Sequence, residues 1–168
     1  MSDINVISRT QKIIVDAAAN TVSVSYTGPP GPAADNNYGR GLMAAPATST
    51  TTDSTITVEE VMLTYTFTAV NGRSYLLQYF EPIIVGTSGG TLTVRIRETN
   101  ISGTVLQTFK STIATATNTI ASCQVIYTAT ASASLTIVAT LAASSGTVTA
   151  TRSSTQFPQL YAIDVGIV

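Results

Sequence analysis

The sequence predicts an all-β protein: an N-terminal β-hairpin arm followed by an antiparallel β-sandwich of about eight strands, of jelly-roll type. Three observations predict it. Thr and Ser number 30 and 17 among 168 residues, and β-branched Thr suits the half-exposed face of a pleated sheet. Apolar residues recur at period two in one short segment after another, and no segment sustains a helical period. Turn signals separate these segments at near-regular spacing, which indicates a sandwich or barrel and not a parallel sheet.

The first element is a hairpin. Ile13, Ile14 and Val15 form a short strand, residues 16–20 supply its turn, and Val22, Val24 and Tyr26 alternate with Ser23 and Ser25. Two strands alone are marginal in water, so residues 1–27 read as an arm whose apolar residues need another surface. Residues 28–54 hold four of the six prolines, several glycines and then TSTTTDST. With few apolar residues they read as an extended linker. The linker opens on Gly28, Pro29, Pro30, Gly31 and Pro32, a collagen-like phrase too short for a triple-helical rod. Its prolines pre-set a stiff polyproline path, which suits a spacer.

Residues 55–168 read as the sandwich. Val61, Leu63, Tyr65 and Phe67 alternate with Met62, Thr64, Thr66 and Thr68 as a half-buried strand. Asn71-Gly72 is a hairpin turn, because both residues tolerate positive φ. The returning strand, RSYLLQYFEPIIV, contains Pro82, which implies a sheet edge or a bulge. GTSGG then turns the chain into TLTVRIRET, where Leu92, Val94 and Ile96 face one way and Thr93, Arg95 and Arg97 the other. Asn100 to Gly103 turns it again into TVLQTFK, and further strands fall at about 119–128, 134–142, 147–152 and 159–167.

The search for chemistry yields little. The chain has no histidine, which removes Ser-His-Asp and Cys-His nucleophiles and the commonest zinc ligand. Glu59-Glu60 is the one adjacent carboxylate pair, and neighbours on a strand point to opposite faces. The single cysteine, Cys123, shares a face with Ala121, Val125 and Tyr127 and reads as a buried structural thiol. Arg95 and Arg97 could hold an anion, but pairing with Glu59, Glu81 or Glu98 is the plainer reading. Tyr75, Tyr79 and Phe80 read as core or subunit interface. Net charge is −1 with eight scattered basic residues, so nucleic acid is not an expected partner. No apolar run approaches a membrane span and no signal peptide is evident, which points to synthesis in a cytoplasm. These features predict a structural protein, with no catalytic residues, cofactor or metal.

Two stretches carry a family resemblance. VISRTQKIIVDAAANTVSVSYTGPPGP resembles the N-terminal segment of virion proteins of tailed bacteriophages, especially those infecting actinobacteria. TRSSTQFPQLYAIDVGIV resembles the ending of their β-rich minor tail and head-appendage proteins, through Ser153, Ser154, Thr155, Pro158, Leu160, Tyr161, Asp164 and Gly166. The resemblance implies a virion protein, either a minor tail protein or a capsid decoration or head fibre. Ile13, Ile14, Val15, Val22, Val24 and Tyr26 would anchor it on capsid or tail subunits, and a homotrimer is the implied assembly. Long Gly-X-Y runs of such proteins are missing here, which argues against a long fibre. The alternative is a receptor-binding module that recognises a host-surface glycan through loops of the sandwich.

Overall fold

The computed structural model describes residues 11–16, 21–26 and 38–167. The chain divides into two compact units, Met1–Asp35 and Asn36–Val168. In the first, β1 (Gln11–Asp16) and β2 (Thr21–Tyr26) pair antiparallel. Their register sets Ile13 opposite Val24 and Val15 opposite Val22, while Ile14 pairs with Ser23 and Tyr26 with Gln11.

The second unit is a β-sandwich of a seven-stranded and a four-stranded antiparallel sheet. Its strands are β3 (Tyr38–Leu42), β4 (Ala47–Thr48), β5 (Asp53–Ile56), β6 (Glu60–Ala69), β7 (Ser74–Gly86) and β8 (Gly90–Glu98). β9 (Val105–Ile113), β10 (Thr119–Thr128), β11 (Ala133–Ala143), β12 (Val148–Ala150) and β13 (Gln159–Gly166) complete it. The long strands of one sheet run β3-β13-β7-β10, and the other sheet runs β6-β11-β8-β9. Consecutive strands mostly alternate between sheets, and the first and last long strands lie side by side, which is jelly-roll winding. The short β4, β5 and β12 extend the larger sheet.

Period-two alternation builds the core. Tyr75, Leu77, Tyr79 and Ile84 on β7 point inward, against Tyr65 and Phe67 on β6, Leu92, Val94 and Ile96 on β8, and Ile137 and Leu141 on β11. The predicted Asn71-Gly72 turn joins β6 to β7, with Gly72 at φ +78°. That is a left-handed conformation glycine adopts without a Cβ penalty.

Two expectations need correction, and a third is met in one of its two forms. The stretch 28–54 is not linker throughout, because β3, β4 and the start of β5 fall in it and pair with β13 and β12. A strand needs backbone partners more than apolar side chains, and here Met43 and Ala47 are enough to pack on the core. On β6, Met62 is buried while Val61 stays 40% exposed. A register shift opposite them, between Ala139 and Thr140, offsets the alternation at that point. Of the two settings that the sequence offers for Pro82, an edge or a bulge, the structure has the bulge. Pro82 and Ile83 of β7 lie opposite the single residue Ile120 of β10, where β7 also passes from pairing β13 to pairing β12. A residue with no N–H belongs at such a gap in the ladder.

Candidate functional site

The residues predicted to anchor the chain occupy β1 and β2, with the cross-strand pairs given above. The predicted spacer, Gly28 to Pro32, lies outside the described residues. What the structure does place is every face of the sandwich, and the faces differ in kind.

Two ion pairs are enclosed inside it. Arg73 donates from Nε to Asp164 Oδ2 at 2.7 Å and from a terminal nitrogen to Oδ1 at 2.9 Å, a bidentate fork. Burial disfavours the Asp164 carboxylate, but Arg73 and the Gly166 N–H outweigh it and hold the carboxyl below its ordinary range. Gly166 itself has φ +100°. The Asp164 and Gly166 of the C-terminal motif therefore have a structural task. The second pair joins Arg152 to Glu81 at 2.6 Å, with the Tyr79 hydroxyl donating to the same carboxylate at 2.8 Å. None of these partners was legible in the sequence, since 91 and 71 residues separate the two pairs.

The outer face of the four-stranded sheet is built for water. Thr66 and Thr136 lie opposite each other with their hydroxyls 2.9 Å apart. Arg95 and Arg97 do pair with Glu59, at 2.8 Å and 2.9 Å, and Thr140 adds a hydroxyl at 2.6 Å. The plainer reading of the two arginines is the correct one. Burial alone would raise the Glu59 pKa, but the hydrogen bonds from Arg97, Thr140 and Arg95 win and set it at about 2, against an ordinary 4.5. Glu60 behaves in the opposite way: burial, then the nearby Asp53 charge, raises its pKa. The neighbours thus occupy different environments, as strand geometry requires.

A pH dependence follows from Glu59. Its folded pKa is depressed, so its contribution to stability is present above about pH 4.5 and is lost as pH falls toward 2. Melting temperature should fall across that window in the wild type, and more shallowly in Glu59→Gln, as followed by circular dichroism.

The outer face of the seven-stranded sheet is different. Strand register aligns its side chains in three rows. One row is aliphatic: Ile126, Leu76, Ile163 and Leu42 on β10, β7, β13 and β3. The next holds Gln124, Gln78 and Tyr161, whose hydroxyl donates to Gln78 Oε1 at 2.9 Å. The third holds Ser122, Phe80, Gln159 and Thr48. No charged side chain stands in any row. Ile126 and Leu42 are 51% and 52% exposed. The signal for this face was in the sequence: on β7, β10 and β13 the residues between core positions are uncharged and mostly apolar or amide, with Ser122 and Thr128 on β10, where β6 and β8 carry Thr and Arg.

Between β9 and β10 an open cavity of about 290 Å³ is lined by Gln107, Thr108, Phe109, Ser122, Cys123 and Gln124. Burial pushes the Cys123 thiol up to about 11, so it is protonated at neutral pH and a poor nucleophile. Among the described residues no group of three or more His, Cys, Asp or Glu could hold a metal ion. No helix among them is long and apolar enough to cross a membrane.

No family model and no curated protein matches the chain. Solved structures with a similar arrangement of strands include a carbohydrate-binding module, CBM4, at TM-score 0.37 and 11% identity over 61% of this chain and 59% of that one. They also include the VP2 subviral particle of infectious bursal disease virus, at TM-score 0.43 and 9% identity over 93% of this chain and 38% of that one. The Gx strain of that virus aligns at TM-score 0.39 and 9% identity, over 99% and 43%. The chain spans less than two thirds of the length of each. Structural neighbours thus include viral particle proteins and carbohydrate-binding modules, at low TM-score and low identity.

Proposed function

We propose that this chain is a non-enzymatic structural protein of a tailed-bacteriophage virion, displaying its sandwich on the particle and held there by its N-terminal arm. The observation that carries this reading is the β1–β2 hairpin. It belongs to a compact unit of its own, Met1–Asp35, distinct from the sandwich unit, and its register pairs Ile13 with Val24 and Val15 with Val22. Two strands do not sustain themselves in water, so the apolar pairs call for a host surface, which neighbouring capsid or tail subunits would supply by strand addition or face packing. The sequence resemblance of both chain ends supports the same reading. A glycan-recognition module has less in its favour, because Tyr65, Phe67, Tyr75 and Tyr79 are enclosed in the core, which leaves rings such as Phe109, Phe80 and Tyr161 as the ones a sugar could reach.

The test is removal of residues 1–27. The truncated chain should keep the melting temperature of the sandwich and be missing from purified particles, as measured by mass spectrometry of virions. Incorporation at the wild-type level would refute the anchoring role.

A further inference from the structure

The two sheets meet unevenly along one side of the sandwich. There β9, the edge strand of the four-stranded sheet, runs beside β10, which pairs with β7 in the larger sheet. Residues opposite each other in a ladder project from the same face. Gln107, Phe109 and Ser111 stand opposite the buried Ile96, Val94 and Leu92, so their row, which ends at Ile113, points to the core side. Ile113 is 1% exposed, yet Phe109 is 45% exposed and Gln107 is exposed as well. The sheets therefore close on Ile113 and part toward Gln107. The gap is the open cavity of about 290 Å³, with Thr108, Ser122 and Gln124 at its rim and the buried Cys123 at its inner end. We propose that this cleft binds one ring of a neutral sugar, stacked on Phe109 and hydrogen-bonded by Gln107 and Gln124. The site adds to the structural role and does not depend on the arm.

Four features select that class of ligand. The lining carries no Asp, Glu, Lys or Arg, so an ion entering it would lose water without meeting a counter-charge. Lys110, next along β9, stands opposite Thr93 and projects from the outer face. Amides and hydroxyls make up the rest of the lining beside Phe109 and Cys123, which disfavours a purely apolar guest. Gln107 Oε1 accepts the Thr108 N–H at 3.0 Å, which fixes that amide and leaves its NH₂ group to donate. The Gln124 amide has no hydrogen-bond partner among the described residues. Sugar hydroxyls both donate and accept, so they satisfy amides and hydroxyls in either sense. The ring of Phe109 completes the fit, because its negative face attracts the weakly positive C–H groups on one side of a sugar ring. The volume lies just below the range of about 300–1,000 Å³ usual for small-molecule sites, which limits the guest to a single ring.

Nuclear magnetic resonance of the isotope-labelled full chain tests the proposal, with the methyl glycosides of glucose, galactose, mannose and N-acetylglucosamine as probes. A ring held by one stacking contact and a few hydrogen bonds binds at about millimolar strength, so each probe is taken to tens of millimolar. At least one should give saturable shifts confined to the amides of residues 107–109 and 122–124. Phe109→Ala and Gln124→Ala should each weaken that binding by about tenfold, and Phe109→Tyr should retain it. All three variants should keep the wild-type circular dichroism spectrum, since both side chains are exposed. Thr66→Ala, on β6 at the far edge of the four-stranded sheet, should bind as the wild type does. The proposal is overturned if none of the four probes gives saturable shifts, if the shifts map elsewhere, or if binding survives Phe109→Ala. A stronger response at the cleft to inorganic sulfate than to any of the glycosides would overturn the neutral class of ligand. None of these results bears on incorporation into particles, so a failure here is distinct from a failure of the arm as an anchor.

Discussion

Replacing Arg152 with alanine is expected to destabilise the sandwich by about 3–5 kcal/mol, the usual cost of leaving a buried charge without its partner. The Arg152 and Glu81 side chains are 4% and 0% exposed. Arg152 supplies Glu81 with contacts at 2.6 and 3.2 Å and also reaches the Thr51 carbonyl and the Met62 sulfur. Without it, the carboxylate would retain the Tyr79 hydroxyl but no cation. The pair as a whole is a different matter, since the desolvation of two ions offsets much of their attraction. Arg152→Met together with Glu81→Leu should therefore recover most of the loss. Urea unfolding of Arg152→Met, Glu81→Leu and the double variant measures the coupling directly, and a double variant no more stable than Arg152→Met would contradict this account.

Tyr75→Ala should cost a similar amount, about 3–5 kcal/mol, through the cavity left by a fully buried ring. The ring packs on Phe67 with centroids 5.0 Å apart, and its hydroxyl accepts the Val70 N–H at 2.8 Å. That bond ties the strand end before Asn71-Gly72 to the strand that follows. Tyr75→Phe keeps the packing and loses only the bond, so it should cost about 1 kcal/mol. Equal losses in the two variants would mean that the turn, and not the core, governs stability here.

What the sequence made legible was local. Asn71-Gly72 marked a turn because few residues accept its backbone, and the alternation of Leu92 to Arg97 sorted core from surface because one residue's advance reverses a strand's face. The Thr-rich residues 38–54 look like linker by their side chains, while β3 to β5 are held by the backbones of β13 and β12. Val61 and Met62 depart from the simple alternation because β6 bulges there: Val61 and Leu63 pair with the adjacent residues Thr140 and Ala139, which leaves Met62 as the extra residue. The surface was partly readable. Glu59 was among the partners considered for Arg95 and Arg97, but that Ile126, Leu76, Ile163 and Leu42 form one row depends on the order of four strands, and strand order is not written in any local pattern.

That order has a consequence for how the protein is made. β13 leaves a ribosome after every other strand of the sandwich, yet it lies between β3 and β7, which emerge far earlier. Until residues 159–166 are out, each nascent chain carries an open slot flanked by two bare strand edges, and topologies dominated by such distant pairings close slowly. Where two such unfinished chains meet, that slot is the place where one would capture the other.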